Sequence, residues 1–401
     1  MRRLHFHVGR PQQLAALLLI FFLTECLWVV SRQQLSPADF RFARCGREMW
    51  ERPSPLAGYF TTCGNLNGDG TFAYRAAGLP LTLQRLLLLG TDKLRKPEDR
   101  LYANGSLNGS TWEARHELGE VKYLLHLPFI LFAAWLGAGL WWVSRRLFGN
   151  EGGFLSLALF CFCPQVIRYA VVPNNDVLAM WGLYGLVYTG IGVAHAMQGP
   201  KRTWKPRILL LTLALGLTAI AHLLAAIIGF FAAAVLMFYL GGRRRGEVLG
   251  VLVFSAVGAL LVVFASYAFR LQPFSYVFTG GGARFWWSLA GLKSFFLDVF
   301  DGPIVVSVLL SVVLWMGVRR SRYFGNTVPL VMAAILFPLG TTQTFSAPWL
   351  WAIPFLLTFV GGVFADALET RQRRLFLGLL SGALVTQALA CLAELPAIAR
   401  M

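Results

Sequence analysis

The chain has 401 residues, of which 57% are hydrophobic and only 14% are charged. This balance, with a mean hydropathy of +0.60, excludes an ordinary soluble globular protein, in which about 25% of residues are charged. The net charge of +17 would suit a nucleic-acid-binding protein, but the basic residues lie between hydrophobic segments rather than in one patch. The composition predicts an all-α, polytopic helical membrane protein that does not bind nucleic acid.

Hydrophobic segments long enough to cross a bilayer recur along the whole chain. One transmembrane helix needs about 20 apolar residues. The sequence offers about eleven such segments, near residues 12–30, 124–143, 153–171, 177–196, 207–222, 223–240, 248–267, 303–318, 327–342, 345–365 and 375–393. Segments 207–222 and 223–240 are short and follow each other without a polar break, so we interpret them as a bent or re-entrant pair. We predict a single transmembrane domain over residues 1–401.

Basic residues cluster in alternate short loops between these segments. The clusters are Arg2, Arg3 and Arg10; Arg145 and Arg146; Lys201, Arg202, Lys205 and Arg207; Arg243, Arg244 and Arg245; Arg319, Arg320 and Arg322; and Arg371, Arg373 and Arg374. Loops rich in Lys and Arg stay on the cytoplasmic side, so the N-terminus is predicted to be cytoplasmic. The first hydrophobic segment is too long for a secretory signal and is interpreted as a retained helix. The lack of a large lumenal domain and of a retention signal favours a bacterial inner membrane.

Two sizeable loops face the outer side under this topology, residues 31–122 and 268–302. The first contains two stretches, 36–50 and 79–94, whose apolar residues fall on one side of a helix. This pattern is typical of amphipathic helices that lie at the membrane surface. The first outer loop is therefore predicted to be helical and interfacial.

The second outer loop has a composition that suits phosphate binding. Three glycines at 280–282 stand beside Arg284, with Trp286, Trp287 and Lys293 following. Backbone N–H groups and cations bind phosphate, while aromatic rings cover a lipid or sugar face. An ordinary interfacial loop, with Trp at head-group depth and Arg reaching to water, explains these residues equally well.

Three other side chains stand out in the first part of the chain. Glu25 lies within the first hydrophobic segment and should face other helices, because an intramembrane acid is costly in lipid. Cys45 and Cys63 both lie in the first outer loop and could pair in an oxidising compartment. Whether they do so is left open by the sequence.

Two acidic residues fall at the outer membrane boundary, Asp39 after the first segment and Asp176 between the third and fourth. Such residues are costly to keep and are therefore candidate functional groups. Helix capping offers a simpler explanation for both. Residues 36–39 have the pattern of an N-cap followed by three helical positions, close to a capping box. Residues 174–176 are Asn, Asn and Asp, which suit the start of the next helix.

Short motifs around these acids carry a family resemblance. They are Asp39-Phe-Arg-Phe-Ala43 with Arg47-Glu-Met49, and then Arg146-Leu-Phe-Gly149, Gly152-Gly153, Pro164 and Asn174-Asn-Asp176. Over residues 12–245 the chain resembles the GT-C glycosyltransferases, in particular the branch of protein O-mannosyltransferases and lipid A aminoarabinose transferases. Two positions depart from the family pattern. Phe40 stands where many relatives have a second acid, and residues 341–348 lack the usual basic or His residue.

The resemblance implies an integral membrane glycosyltransferase. Such an enzyme moves a sugar from a polyprenyl-phosphate-linked donor to a lipid, glycan or protein acceptor at the outer face, with inversion at the anomeric carbon. Asp39 would orient or deprotonate the acceptor, and Asp176 would position the acceptor or its helix. The predicted substrate-binding residues, mostly cations that would stabilise the leaving phosphate, are Arg41, Arg168, Asn175, Arg270, Arg284 and Lys293. No closed metal site is predicted from spacing, and Phe40 argues against paired carboxylates, but a divalent cation is left open as a cofactor.

Two other classes of protein stay open. A transporter or flippase of a lipid-linked substrate would use intramembrane groups such as Glu25, Arg168 and His222, although the repeated halves expected of transporters are not visible. A non-catalytic membrane assembly protein would tolerate the loss of both Asp39 and Asp176. A transferase, in contrast, requires an outward-facing site that is open to lipid.

Overall fold

The structure is a computed structural model that describes residues 9–51, 70–90, 117–200, 204–267, 269, 302–340 and 348–400. Its α-helices are α1 (Arg10–Arg32), α2 (Pro37–Glu51), α3 (Phe72–Gly90), α4 (Glu117–Cys161), α5 (Pro164–Ala170), α6 (Asn175–Met197), α7 (Lys205–Ala221), α8 (Leu223–Gly241), α9 (Arg245–Ser266), α10 (Gly302–Gly317), α11 (Phe324–Gly340), α12 (Pro348–Leu368) and α13 (Arg373–Ile398). Short 3₁₀ helices cover Gly242–Arg244 and Arg319–Arg322. The described residues contain no strand, in agreement with the predicted all-α class.

Within these described ranges, seven helices are long and apolar enough to cross a membrane. They are α1, α4, α6, α8, α9, α12 and α13. Shorter apolar stretches lie in α10 and α11, at Val306–Gly317 and Phe324–Leu336. The chain is thus a multi-pass helical membrane protein, whereas the predicted number of about eleven spans is not confirmed.

Local breaks divide several of the predicted segments. Segment 153–171 is not one helix, because α4 ends at Cys161 and Pro164, which has no N–H to continue the ladder, begins α5. The loop predicted ahead of that segment is a kink at Gly149 inside α4. Gly149 has φ 80° and ψ −173°, a conformation that essentially only glycine adopts. The predicted discontinuity between α7 and α8 is confirmed, since His222 has extended backbone between them.

The two stretches that were predicted to be interfacial helices are both helical. The stretch predicted at 36–50 is α2, with nearly the same bounds. The stretch predicted at 79–94 starts earlier, at Phe72, and is described as α3 up to Gly90. The earlier start follows from packing, because Ala73 and Tyr74 in the first turn of α3 are buried.

The chain divides into two compact units. The first unit comprises residues 1–29, 133–168 and 285–399, and the second comprises residues 30–132, 169–284 and 400–401. Each unit therefore combines segments that are far apart in the sequence.

The first unit has α12 at its centre, since the apolar part of this helix is buried throughout. Ser156 on α4 donates a hydrogen bond to the carbonyl oxygen of Leu357 on α12 at 3.0 Å. Asn326 on α11 donates to the Asp366 carboxylate of α12 at 2.8 Å. Glu25 on α1 is buried in this unit, as expected of an intramembrane acid, and its carboxylate oxygens accept no hydrogen bond from the described residues.

In the second unit, α2 packs along α3. The two helices touch backbone to backbone where Gly46 lies against Gly78, and the rings of Phe42 and Tyr74 stack with centroids 4.5 Å apart. Cys45, on the buried side of α2, is disulfide-bonded. Its predicted partner, Cys63, lies outside the described residues, so that pairing stays a prediction. The predicted first outer loop thus contains two helices, α2 and α3, that pack against each other.

Arg75, in the first turn of α3, anchors the α2–α3 pair. Its guanidinium donates a hydrogen bond to the Ser266 carbonyl oxygen at the end of α9, at 2.7 Å, and lies over the Trp50 ring. The Trp50 indole N–H in turn donates to the Arg75 carbonyl oxygen at 2.8 Å. The pair is therefore held to the membrane helix α9 as well as to itself.

Candidate active site

Asp39 closes a capping box at the start of α2. Its backbone N–H donates to Ser36 Oγ at 3.2 Å, while its Oδ2 accepts from the Ser36 backbone N–H at 2.7 Å and from Ser36 Oγ at 2.9 Å. This arrangement arises from sequence alone, because the two residues are three apart at a helix start. The predicted capping role of Asp39 is therefore confirmed, and it uses one of the two carboxylate oxygens.

The second oxygen of Asp39 is not engaged in capping. Asp39 is only 4% exposed, and Oδ1 accepts no hydrogen bond from the described residues. A potentially cationic side chain lies close to it, His126 of α4, whose Nε2 is 3.8 Å from Oδ1. A buried carboxylate oxygen without a donor costs about 1–3 kcal/mol or more. Capping alone does not explain this oxygen, so Asp39 offers an unused acceptor beside an imidazole.

His126 is a candidate functional residue that the sequence pattern did not single out. It is 3% exposed, and its Nδ1 lies 2.6 Å from the carbonyl oxygen of Val171. The signal was present, since a polar, ionisable side chain near the end of a hydrophobic segment is a candidate functional group. What the sequence did not show is that His126 stands between α2 and the loop that begins at Val171.

The 171–174 loop is shaped by Asn174, which caps α6. Its Oδ1 accepts from the Val177 backbone N–H at 2.9 Å, and its Nδ2 donates to the carbonyl oxygens of Tyr169 and Val172 at 2.7 and 2.6 Å. Asp176 lies in the first turn of α6 and is half-buried, where a carboxylate interacts favourably with the helix dipole. Capping of α6 thus belongs to Asn174, and a catalytic role for Asp176 stays a prediction.

Asn175 ties the same loop to α3. It is 5% exposed, and its Oδ1 accepts a hydrogen bond from the Ala73 backbone N–H at 3.2 Å. Ala73 belongs to the unpaired first turn of α3, so this bond satisfies a buried donor. The structure therefore gives Asn175 a structural contact, and substrate binding by this residue stays a prediction.

The cations predicted to bind the phosphate are only partly described. Arg41 is exposed on α2, with its guanidinium 5.9 Å from the Phe42 ring centroid. Arg168 is half-buried on α5, in the first unit. The other three, Arg270, Arg284 and Lys293, lie outside the described residues. The structure thus joins Asp39 to Val171 through His126.

A divalent cation would find few ligands here. In the described part of the chain, no group of three or more His, Cys, Asp or Glu side chains could hold a metal ion. Asp39 and His126 offer one carboxylate oxygen and one imidazole nitrogen, which is fewer than protein metal sites ordinarily supply. The described residues therefore do not fit a metal site.

The Asn175 contact leads to a stability prediction. We expect Asn175→Leu to lower the free energy of unfolding by about 1–3 kcal/mol, because the buried Ala73 N–H would lose its acceptor. Denaturant unfolding in detergent micelles would measure the change. Gln198, an exposed amide at the other end of α6, is the control, and Gln198→Leu should change stability by less than about 0.5 kcal/mol. Equal stability of both variants would contradict a structural role for Asn175.

Comparison with known proteins assigns no function to the residues of this site. No protein-family model and no curated protein matches the chain. Among solved structures, it is similar to the crystal structure of the Archaeoglobus fulgidus oligosaccharyltransferase tethered with an acceptor peptide containing the NVT sequon, with a TM-score of 0.48 and 11% sequence identity. The match covers 96% of this chain and 55% of the other, so this chain spans about half the length of that protein. Likeness at this level does not establish a shared activity.

Proposed function

We propose that the chain is an integral membrane glycosyltransferase that moves a sugar from a polyprenyl-phosphate-linked donor to an acceptor at the outer face of the membrane. The observation that carries this proposal is the buried Asp39 carboxylate, with one oxygen in the capping box and the other beside His126. A carboxylate that only capped α2 would need no such second environment.

The position of Asp39 along the chain suits a lipid-linked donor. It follows the membrane helix α1 after a short connection and lies in the first turn of α2. The predicted topology places this boundary on the outer side of a bacterial inner membrane. A polyprenyl carrier is too apolar to leave the bilayer, so its phosphate and sugar must react at such a boundary.

The reaction needs two kinds of group. A carboxylate must orient the acceptor nucleophile or assist its deprotonation, and Asp39 Oδ1 is the atom proposed for this role. Cations must stabilise the phosphate that leaves with the bonding electron pair. For these we propose Arg41, Arg168, Arg270, Arg284 and Lys293, with Asn175 and Asp176 positioning the acceptor.

The test is the release of free polyprenyl phosphate. The full-length protein would be reconstituted into phospholipid vesicles that contain undecaprenyl phosphate carrying a radiolabelled hexose or pentose, with a membrane extract as the source of acceptor. We expect protein-dependent formation of undecaprenyl phosphate and transfer of label out of the carrier. Movement of the intact carrier across the bilayer without cleavage would overturn the proposal and support a flippase. If the labelled carrier is neither cleaved nor moved, the proposal is also overturned and a non-catalytic assembly protein is favoured.

A further inference from the structure

The pair formed by His126 and Asp39 has an unusual hydrogen-bond balance. Nδ1 of His126 faces the carbonyl oxygen of Val171 at 2.6 Å. A carbonyl oxygen only accepts, so Nδ1 carries the hydrogen in the neutral ring as well as in the charged one. The neutral ring therefore presents the lone pair of Nε2, and its tautomer is fixed by the backbone.

The Asp39 atom that lies close to Nε2 is also an acceptor. Asp39 Oδ1 is buried, accepts no hydrogen bond from the described residues, and lies 3.8 Å from Nε2. Two acceptors at this separation have no hydrogen between them unless the imidazole is protonated or a third group supplies one. A single proton taken up between Nε2 and Oδ1 would satisfy both acceptors.

The surroundings keep both partners in place. Oδ2 of Asp39 is fixed by Ser36, so the carboxylate cannot turn away without breaking the capping box. The charged groups that act on the imidazole are Asp39 from α2 and Lys122, one turn earlier on α4. Lys122 Nζ is itself bonded to the carbonyl oxygen of Ser31 at 2.9 Å. The ring is thus held at one nitrogen and left able to take up a proton at the other.

We propose that His126 is the proton acceptor of the transfer reaction and that Asp39 acts with it as one unit. This inference rests on the proposed glycosyltransferase function. In the step, the oxygen of an acceptor hydroxyl forms a bond to the anomeric carbon, and the bond from that carbon to the phosphate oxygen breaks. The electron pair leaves with the polyprenyl phosphate, and the hydroxyl proton passes to Nε2.

The imidazolium formed in this step lies beside the Asp39 carboxylate, whose negative charge stabilises it. His126 thus acts as the base, the Asp39 carboxylate stabilises its charged form, and the Val171 carbonyl oxygen fixes its tautomer. The proton then passes to water, which restores the neutral ring for the next turnover.

The experiment compares wild-type protein with His126→Gln and Asp39→Asn in the vesicle assay, over a range of pH. The side chain of Gln makes hydrogen bonds but takes up no proton near neutral pH. We expect kcat of His126→Gln to fall by about 100-fold or more, the usual contribution of a general base, with KM little changed. The wild type should lose activity as the pH falls and the imidazole becomes protonated, and this acid limb should be missing in His126→Gln.

A second variant separates chemistry from folding, since loss of the Val171 contact could lower stability. His126→Ala should regain activity when imidazole is added to the buffer, which a folding defect would not do. The proposal is overturned if His126→Gln keeps more than half of the wild-type kcat with an unchanged pH profile. It is also overturned if chelation by EDTA abolishes wild-type activity and His126→Gln raises the Mn²⁺ concentration needed for recovery, because His126 would then be a metal ligand.

Failure of this inference is distinguishable from failure of the proposed function. An active wild type, an inactive Asp39→Asn and an intact His126→Gln would remove His126 from the reaction and leave the transferase in place. If the wild-type protein releases no undecaprenyl phosphate with either sugar, both the role of His126 and the proposed transferase function fail.

Discussion

Asp39→Asn is expected to abolish sugar transfer while the protein stays folded. The amide oxygen of Asn can still accept hydrogen bonds from Ser36, so the start of α2 should be preserved. The substitution removes the negative charge beside His126 and the carboxylate oxygen that would face the acceptor. We expect kcat/KM to fall by about 100-fold or more, measured as release of undecaprenyl phosphate, with an unchanged unfolding midpoint.

Ser36→Ala is the matched control for this prediction. It removes the hydroxyl group of the capping box but keeps the Ser36 backbone N–H, which donates to Asp39 Oδ2 at 2.7 Å and still holds the carboxylate. Loss of such a cap costs about 1 kcal/mol of stability, and the rate of transfer should change little at a temperature where the protein is folded. If both variants lose stability together and neither changes the rate, Asp39 is only a capping residue and its catalytic assignment falls.

Gly46→Ala is expected to destabilise the second unit, although Ala ordinarily stabilises a helix interior relative to Gly by about 1 kcal/mol. A Cβ at Gly46 would lie 2.2 Å from the Tyr74 carbonyl oxygen and 2.7 Å from the Gly78 backbone nitrogen. Both contacts are backbone atoms of α3, so no side chain can rotate away, and α2 must move as a whole. We expect a loss of about 1–3 kcal/mol, measured by denaturant unfolding in micelles.

The same substitution should also lower the transfer rate, because α2 carries Asp39 and its shift would change the distance to His126. Gly185→Ala on α6 is the control, since a Cβ there meets no atom within 4 Å. It should leave stability unchanged or raise it by up to about 1 kcal/mol. Were Gly46→Ala to stabilise the protein as Gly185→Ala does, the backbone contact between α2 and α3 would be wrong.

Features that depend on neighbours along the chain could be predicted from the sequence. Hydrophobic length predicted a multi-pass helical membrane protein, because the bilayer sets the number of apolar residues per helix. The capping box of Ser36 and Asp39 was also predictable, since its groups are three residues apart and meet whenever a helix begins there. The break at His222 was predicted from the shortness of the two hydrophobic segments on either side.

Other local features were not predicted from the pattern. The basic residues before Gly149 predict a loop between spans, but a single glycine with positive φ forms a kink that hydropathy does not report. The division of segment 153–171 at Pro164 is also invisible to hydropathy, because the apolar run continues across it. In both cases backbone geometry, and not hydrophobicity, decides where the helix ends.

The surroundings of Asp39, in contrast, depend on tertiary packing. His126 and Val171 are far from it in sequence, and their contact depends on how α4 and the 171–174 loop pack beside α2. The bond between Asn175 and Ala73 and the contact between Gly46 and Gly78 arise in the same way. Composition and spacing carry no information on such contacts, because each depends on distances between helices that side-chain packing sets. The candidate catalytic carboxylate could thus be named from the sequence, but the imidazole beside it and the free oxygen between them could not.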